Sequence, residues 1–254
     1  MSELARIVAF HRDIEERCCD RIVPSFLATG LFNTKLPLVW DRNYLRVEDA
    51  SARAAALVAL ADRLQGAARL SHRRIQADDL EAGSRLAPQF ERLGWQVKRR
   101  LVMAFRETAE READPLLVRE VEPAALLGFW EESERLAYPD RPDLARQLVE
   151  SRLLTARKID ARFLACRADG RIASACHLYL RGPTAQVEDV FTHPDFRNRG
   201  LASAVVLAAV AHARTAGHDL VWLIAEADDW PKALYAKLGF TPVGEFTVFT
   251  RETT

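Results

Sequence analysis

Between Val187 and Ala202 an apolar-rich strand passes through a short basic turn into a long apolar segment. The turn reads Arg197-Asn198-Arg199-Gly200-Leu201-Ala202, with Ser203 next, and helical spacing continues over residues 202–216. The first backbone N–H groups of a helix have no partner within it, and its dipole places positive charge at the same end. Such a turn gathers free donors at one point, a geometry suited to phosphate or pyrophosphate. Gly200 permits close backbone approach, and Ala202 keeps the helix start small. The plainer alternative is a strand-to-helix turn carrying two solvated arginines.

The frame Arg197-x-x-Gly200-x-Ala202 resembles the pyrophosphate loop of the GNAT acetyltransferases, Arg/Gln-x-x-Gly-x-Gly/Ala. It lies between a strand and a helix, the context such a motif requires. Further on, Ala233-Leu234-Tyr235-Ala236-Lys237-Leu238-Gly239-Phe240 resembles the ending of the same family: a helix carrying Leu-Tyr, a glycine stop and a final strand opening with Phe. Between the two, Leu220-Val221-Trp222-Leu223-Ile224-Ala225 reads as a buried strand.

The resemblance implies acetyl transfer from acetyl-CoA to an amine, with site roles to match. Val190, Phe191 and Thr192 would hold the pantetheine arm through backbone groups. Residues 197–203 (Arg197, Asn198, Arg199, Gly200, Leu201, Ala202, Ser203) would hold the pyrophosphate through main-chain N–H groups. Tyr235 is the expected general acid, since a phenol of pKa ~10 keeps a proton to give to a departing thiolate. Glu188 is the first choice for general base, because a carboxylate in a mostly apolar strand is usually paired or functional. Strand alternation would put Glu188, Val190 and Thr192 on one face, with Asp189 and Phe191 on the other. Asp189 has a parallel claim to the role of base, as does a water chain. His177 and His193 read as packed or capping residues. Where many family members carry Asn, this chain has Glu226-Ala227-Asp228-Asp229-Trp230-Pro231, in which either aspartate can cap the next helix. Cys176 lacks an evident activating constellation.

The elements that must position these groups follow from pattern. Residues 116–121 read as a strand, 123–137 and 143–158 as helices, and 162–168 with 171–180 as a hairpin turning at Asp169-Gly170. The polar stretch 106–115 is the best linker. The resemblance thus implies an α/β (α+β) fold: a GNAT-type mixed sheet flanked by helices, complete over residues 111–254. In the first half, Phe90-Glu91-Arg92-Leu93-Gly94-Trp95 echoes Tyr235-Ala236-Lys237-Leu238-Gly239-Phe240. Strands at 38–47, 73–76 and 96–105 and a helix at 50–64 complete a truncated, degenerate GNAT-like half-domain over residues 1–110. With Phe90 in place of Tyr and no glycine at 47–56, it is expected to be inactive. An ordinary glycine-capped helix before a strand would look the same.

Lys+Arg and Asp+Glu number 36 each, which argues against nucleic-acid binding by bulk charge. Runs such as Arg73-Arg74 and Lys98-Arg99-Arg100 read as solvated faces. No apolar run is long enough to cross a membrane, and the start lacks a signal-peptide core. Cys18, Cys19, Cys166 and Cys176 show no metal-ligand spacing and read as reduced thiols of a cytoplasmic protein. The expectation is an acetyl-CoA-dependent N-acetyltransferase using direct transfer and no metal. The alternatives are a non-catalytic acyl-CoA-binding or regulatory module, and a tandem acyltransferase resembling mycothiol synthase.

Overall fold

The computed structural model describes residues 1–106 and 118–253. The first half runs α1 (Glu3–Arg17), β1 (Arg21–Val23), β2 (Ala28–Phe32), β3 (Tyr44–Val47), α2 (Ala54–Ala67), β4 (His72–Ala77), α3 (Leu80–Arg92) and β5 (Gln96–Phe105). The second half opens with β6 (Val118–Glu120), a 3-10 turn (Pro123–Leu126), α4 (Leu127–Ala137) and α5 (Pro142–Lys158). It continues with β7 (Asp160–Ala168), β8 (Arg171–Arg181), β9 (Thr184–Thr192), a 3-10 turn (Pro194–Phe196), α6 (Leu201–Thr215), β10 (Leu220–Glu226), α7 (Pro231–Lys237) and β11 (Phe240–Glu252).

Among the described residues all strands join one sheet, in the order β1-β2-β3-β4-β11-β5-β10-β9-β8-β7-β6. The halves exchange their last strands. β5 ends the first half and lies against β10, whereas β11 ends the second half and lies against β4. The two exchanged strands pair with each other antiparallel along Phe240 to Thr250, sealing the halves into one ladder.

Alternate residues of the central strands serve opposite faces. Val102, Ala104, Trp222 and Phe246 pack under Ile7, Phe10 and Ile14 of α1. Met103, Val221 and Leu223 pack with Val205 and Ala209 of α6 and Tyr235 of α7. On that second face, Leu57 of α2 and Leu86 and Phe90 of α3 gather around Phe249 and Ile75. α4 and α5 cover Phe163 and Ala175 on the α1 face.

Each half contains a parallel strand pair that separates after a few residues. In the second half, β9 and β10 pair only from Thr184↔Leu220 to Gln186↔Trp222. In the first, β3 and β4 pair only at Leu45↔Ile75 and Arg46↔Gln76. The residues after the two separation points are the same: Val47-Glu48-Asp49 and Val187-Glu188-Asp189. The order strand, strand, strand, helix, parallel strand, helix, strand is also common to both halves.

Some expectations are corrected. Of residues 38–47 only Tyr44–Val47 is strand; Trp40–Arg42 forms a 3-10 turn. Asn43 ties that turn by accepting from the Asn33 N–H at 3.1 Å and donating to the carbonyls of Leu36 and Val39 at 2.7 and 3.0 Å. Arg73 and Arg74 are buried rather than solvated. Arg73 donates to Asp62 and to the carbonyls of Leu70 and His72 at 2.9 Å, and Arg74 pairs with Asp41, so the cost of burying each charge is offset. Most of the expected linker, and residues 116–117 of the first expected strand, lie outside the described residues. Arg106 at the linker's start donates to Glu3 at 2.6 Å, and its N–H to the Gly239 carbonyl at 2.9 Å.

Candidate active site

β9 changes character along its length: Thr184–Val187 is buried, and residues 188–192 become half-buried as β10 moves away. Beyond Gln186 no register pair joins the two strands, leaving the β10-facing edge of Glu188 to Thr192 open to a ligand. On the other edge, pairing with β8 slips between Ala175 and His177, and Asp189 adopts φ +54°. This bulge breaks the alternation expected from sequence. Glu188 and its neighbour Asp189 line the same cleft, while Val190 packs toward α6. Phe191 meets Phe129 of α4 edge-on at 5.5 Å, and the Thr192 hydroxyl lies 2.9 Å from that of Ser174.

The turn after β9 is locally determined. Pro194 starts a 3-10 turn, and His193 caps it by accepting from the Asp195 N–H at 3.3 Å. Phe196 anchors the turn in the core, with the Arg171 and Arg199 guanidinium groups 4.9 and 5.2 Å from its ring centre. Asn198 and Gly200 take φ +62° and +76°, the left-handed region that these two residue types tolerate best. The first backbone bond of α6 runs from Ala204 to Gly200, so the N–H groups of Leu201, Ala202 and Ser203 precede the helix's own ladder. Leu201 turns its side chain into the core and offers only its backbone. Arg197 leans back on the Thr192 carbonyl at 3.3 Å, whereas Arg199 lies on the Phe196 ring. The expected phosphate-loop residues thus come together at the head of α6.

Glu188 and Tyr235 stand on opposite faces of the sheet, either side of the opening between β9 and β10. Tyr235 is buried on α7. Its phenol is held above the usual range by burial and then by the charge of Glu188, so it stays protonated. Glu188 borders a cleft of about 330 Å³ between the halves. Burial and the adjacent Asp189 charge push its carboxyl up to about 7, with Arg100 opposing. Gln186 donates to Glu188 at 2.5 Å. Asp189 behaves differently. Despite burial, Arg152 and then His177 pull its carboxyl down to about 2, and Arg152 grips both of its oxygens. Of the adjacent pair, Glu188 is poised to exchange a proton near neutral pH and Asp189 is a fixed anion.

His177 is buried against Trp130 and Phe163, and burial lowers its pKa to about 4. The Cys176 thiol donates to the Val205 carbonyl at 3.3 Å, and burial raises its pKa, which disfavours a thiolate. Asp229 accepts from the Trp230 N–H at 2.7 Å, but α7 has no side-chain cap of its own.

Half of the cleft wall comes from residues that sequence reasoning passed over. His11 and Glu15 of α1, Asp41 and Arg42 of the 3-10 turn, and Arg100 of β5 all line it together with Glu188. Arg100 bonds Asp41 at 3.3 Å and Glu226 at 3.0 Å. Arg42 bonds Ser151 and Thr155 of α5 at 2.9 and 2.7 Å, closing the cleft between halves. The repeated Val-Glu-Asp marks the likeness of the two halves rather than this wall. In the first half the corresponding Glu48 is bound by Arg12 at 3.1 Å and by Arg46 at 3.0 Å. It borders a separate groove of about 470 Å³ under α1.

Residues 116–240 match the model of the acetyltransferase (GNAT) family. A mycothiol acetyltransferase of Thermobispora bispora is 30% identical over 180 residues, covering 64% of this chain and 60% of that protein. A mycothiol acetyltransferase of Clavibacter sepedonicus is 35% identical over 106 residues, covering 41% of this chain and 35% of that protein. The matched regions therefore span between about a third and three fifths of those relatives. The solved structure of a GCN5-related N-acetyltransferase from Kribbella flavida superposes with a TM-score of 0.65 at 20% identity, covering 98% of this chain and 96% of that one. The fold likeness thus takes in both halves, and residues 116–240 belong to the acetyltransferase (GNAT) family.

Proposed function

We propose that the protein is an acetyl-CoA-dependent N-acetyltransferase that passes an acetyl group directly to a primary amine held in the cleft between its halves. The observation that carries this is the opening between β9 and β10. It has a free strand edge and the head of α6 at its mouth, Glu188 on one face and Tyr235 on the other. Backbone groups at 190–192 suit a pantetheine arm, and the N–H groups of Leu201, Ala202 and Ser203 suit a pyrophosphate. Glu188, ionised above its pKa of about 7, takes the proton from the amine as it attacks the thioester carbonyl. The carbon–sulfur bond breaks as the amide forms, and the Tyr235 hydroxyl protonates the departing thiolate. No covalent enzyme intermediate and no metal enter this route.

The N-terminal half serves as the far wall of the amine cleft and is itself inactive. Its Glu48 is neutralised by two arginines, and Phe90 replaces the tyrosine. We place this half at residues 1–110 and the catalytic domain at 111–254.

The test is thiol release from acetyl-CoA against a panel of small amines, amino sugars and peptides. Amine-dependent release abolished in Glu188→Gln supports the proposal. Binding without release for any amine favours a non-catalytic acyl-CoA-binding module. A second reading, a tandem acyltransferase acting on an amine of the mycothiol type, rests on the two relatives named above. Release specific to a desacetyl mycothiol acceptor would establish it.

A further inference from the structure

β9 and β10 run parallel and then separate, and each delivers a helix to the same face of the sheet. β9 leads to α6 through Gly200, and β10 leads to α7 through Trp230. The crevice beyond the carboxyl ends of the two strands, the usual ligand position beside such a pair, is therefore flanked by Gly200 on one side and Trp230 on the other.

Trp230 is 69% exposed, whereas Trp222, Trp130 and Trp95 are buried and Trp40 is half-buried. Its position is not that of a ring on a loose loop. The Ala227 N–H donates to the Arg99 carbonyl at 2.8 Å, that of Asp229 to Glu226 at 3.3 Å, and that of Ala233 to Trp230 itself at 3.0 Å. Lys232 bonds the Ala227 carbonyl and closes the turn. A pinned turn thus presents a large flat apolar surface to water, a cost that binding a second flat ring would relieve. The neighbouring pyrophosphate position requires that a nucleoside lie close by.

We propose that Trp230 is a donor-specificity residue whose indole stacks on the adenine of acetyl-CoA. This rests on the coenzyme reading above. On that reading the thioester arm, shared by both donors, would run along β9 rather than over the ring.

The experiment compares acetyl-CoA with S-acetyl-pantetheine, the same thioester without the nucleotide. Affinities are measured by fluorescence and by thermal shift for the wild type, Trp230→Ala and Trp230→Phe. Trp230→Ala should bind acetyl-CoA about tenfold more weakly, Trp230→Phe should retain most of the affinity, and S-acetyl-pantetheine should be unaffected. Acetyl-CoA should also shield the exposed indole of the wild type from iodide quenching. Equal weakening for both donors would put the ring on the arm and overturn the inference, as would no change for either. Wild-type protein that binds neither donor would remove the coenzyme reading itself, and this inference with it.

Discussion

Glu188 keeps its proton well above the ordinary carboxylate value of 4.5 because burial and Asp189 both oppose its charge. Between pH 4.5 and about 7 the folded state holds a proton that the unfolded chain has released, so stability falls as pH rises through this window. Replacing the carboxylate removes that loss. Glu188→Gln should therefore gain on the wild type by about 1–3 kcal/mol between pH 5 and pH 8 in denaturant titrations; parallel pH profiles would contradict the shift. The same variant should lose about 10²–10⁴-fold in kcat/KM, together with the acidic limb of the pH–rate profile near 7. An acidic limb that survives would move the base elsewhere. Tyr235→Phe should lower kcat by about 10²-fold while acetyl-CoA affinity stays within about twofold, as expected for a proton given only to the departing thiolate. Full retained turnover would remove the general-acid role.

At the scale of elements, the swapped strand β5 links the two halves chemically as well as structurally. Arg100, between Asp41 and Glu226, is the cation that limits the rise of the Glu188 pKa. Arg100→Gln should shift the acidic limb to higher pH with little change at pH 9; an unmoved limb would show that Arg100 does not act on Glu188. Nothing in the sequence pointed to this, since a Lys-Arg-Arg run usually marks a solvated face and only the exchange of strands carries it into a cleft. The Asp189 bulge was equally illegible. Strict alternation follows from local geometry, but a bulge depends on the register adopted with β8. What pattern did reveal was strong and local. The Asp169-Gly170 hairpin turn, the helix opening after Gly200 and the β5 span of Gln96–Phe105 all appear where spacing put them. α1 and the strands β1 and β2 at one end of the sheet escaped notice because their short or mixed patterns acquire meaning only beside neighbours distant in sequence.

Among the described residues the whole molecule is a single ladder in which neither half owns its own last strand. β5 pairs on one side with β10 and on the other with β11, so removing it strips a partner from both. A fragment of residues 107–254 would also lose α1 from above Trp222 and Phe246. Such a fragment should fail to give a cooperative melt, although the family match is confined to residues 116–240. A sharp melting transition in it would show that the second half folds alone. The first half is in this sense both scaffold and wall: it completes the sheet and closes the cleft opposite Glu188.

A coenzyme site at the opening of β9 and β10 should show itself in thermal melting with and without acetyl-CoA, with free CoA and ATP as controls. Acetyl-CoA in large excess over its dissociation constant should raise the melting temperature by several degrees, and ATP should do little. No shift with millimolar acetyl-CoA would contradict the site and leave the family's fold without its donor.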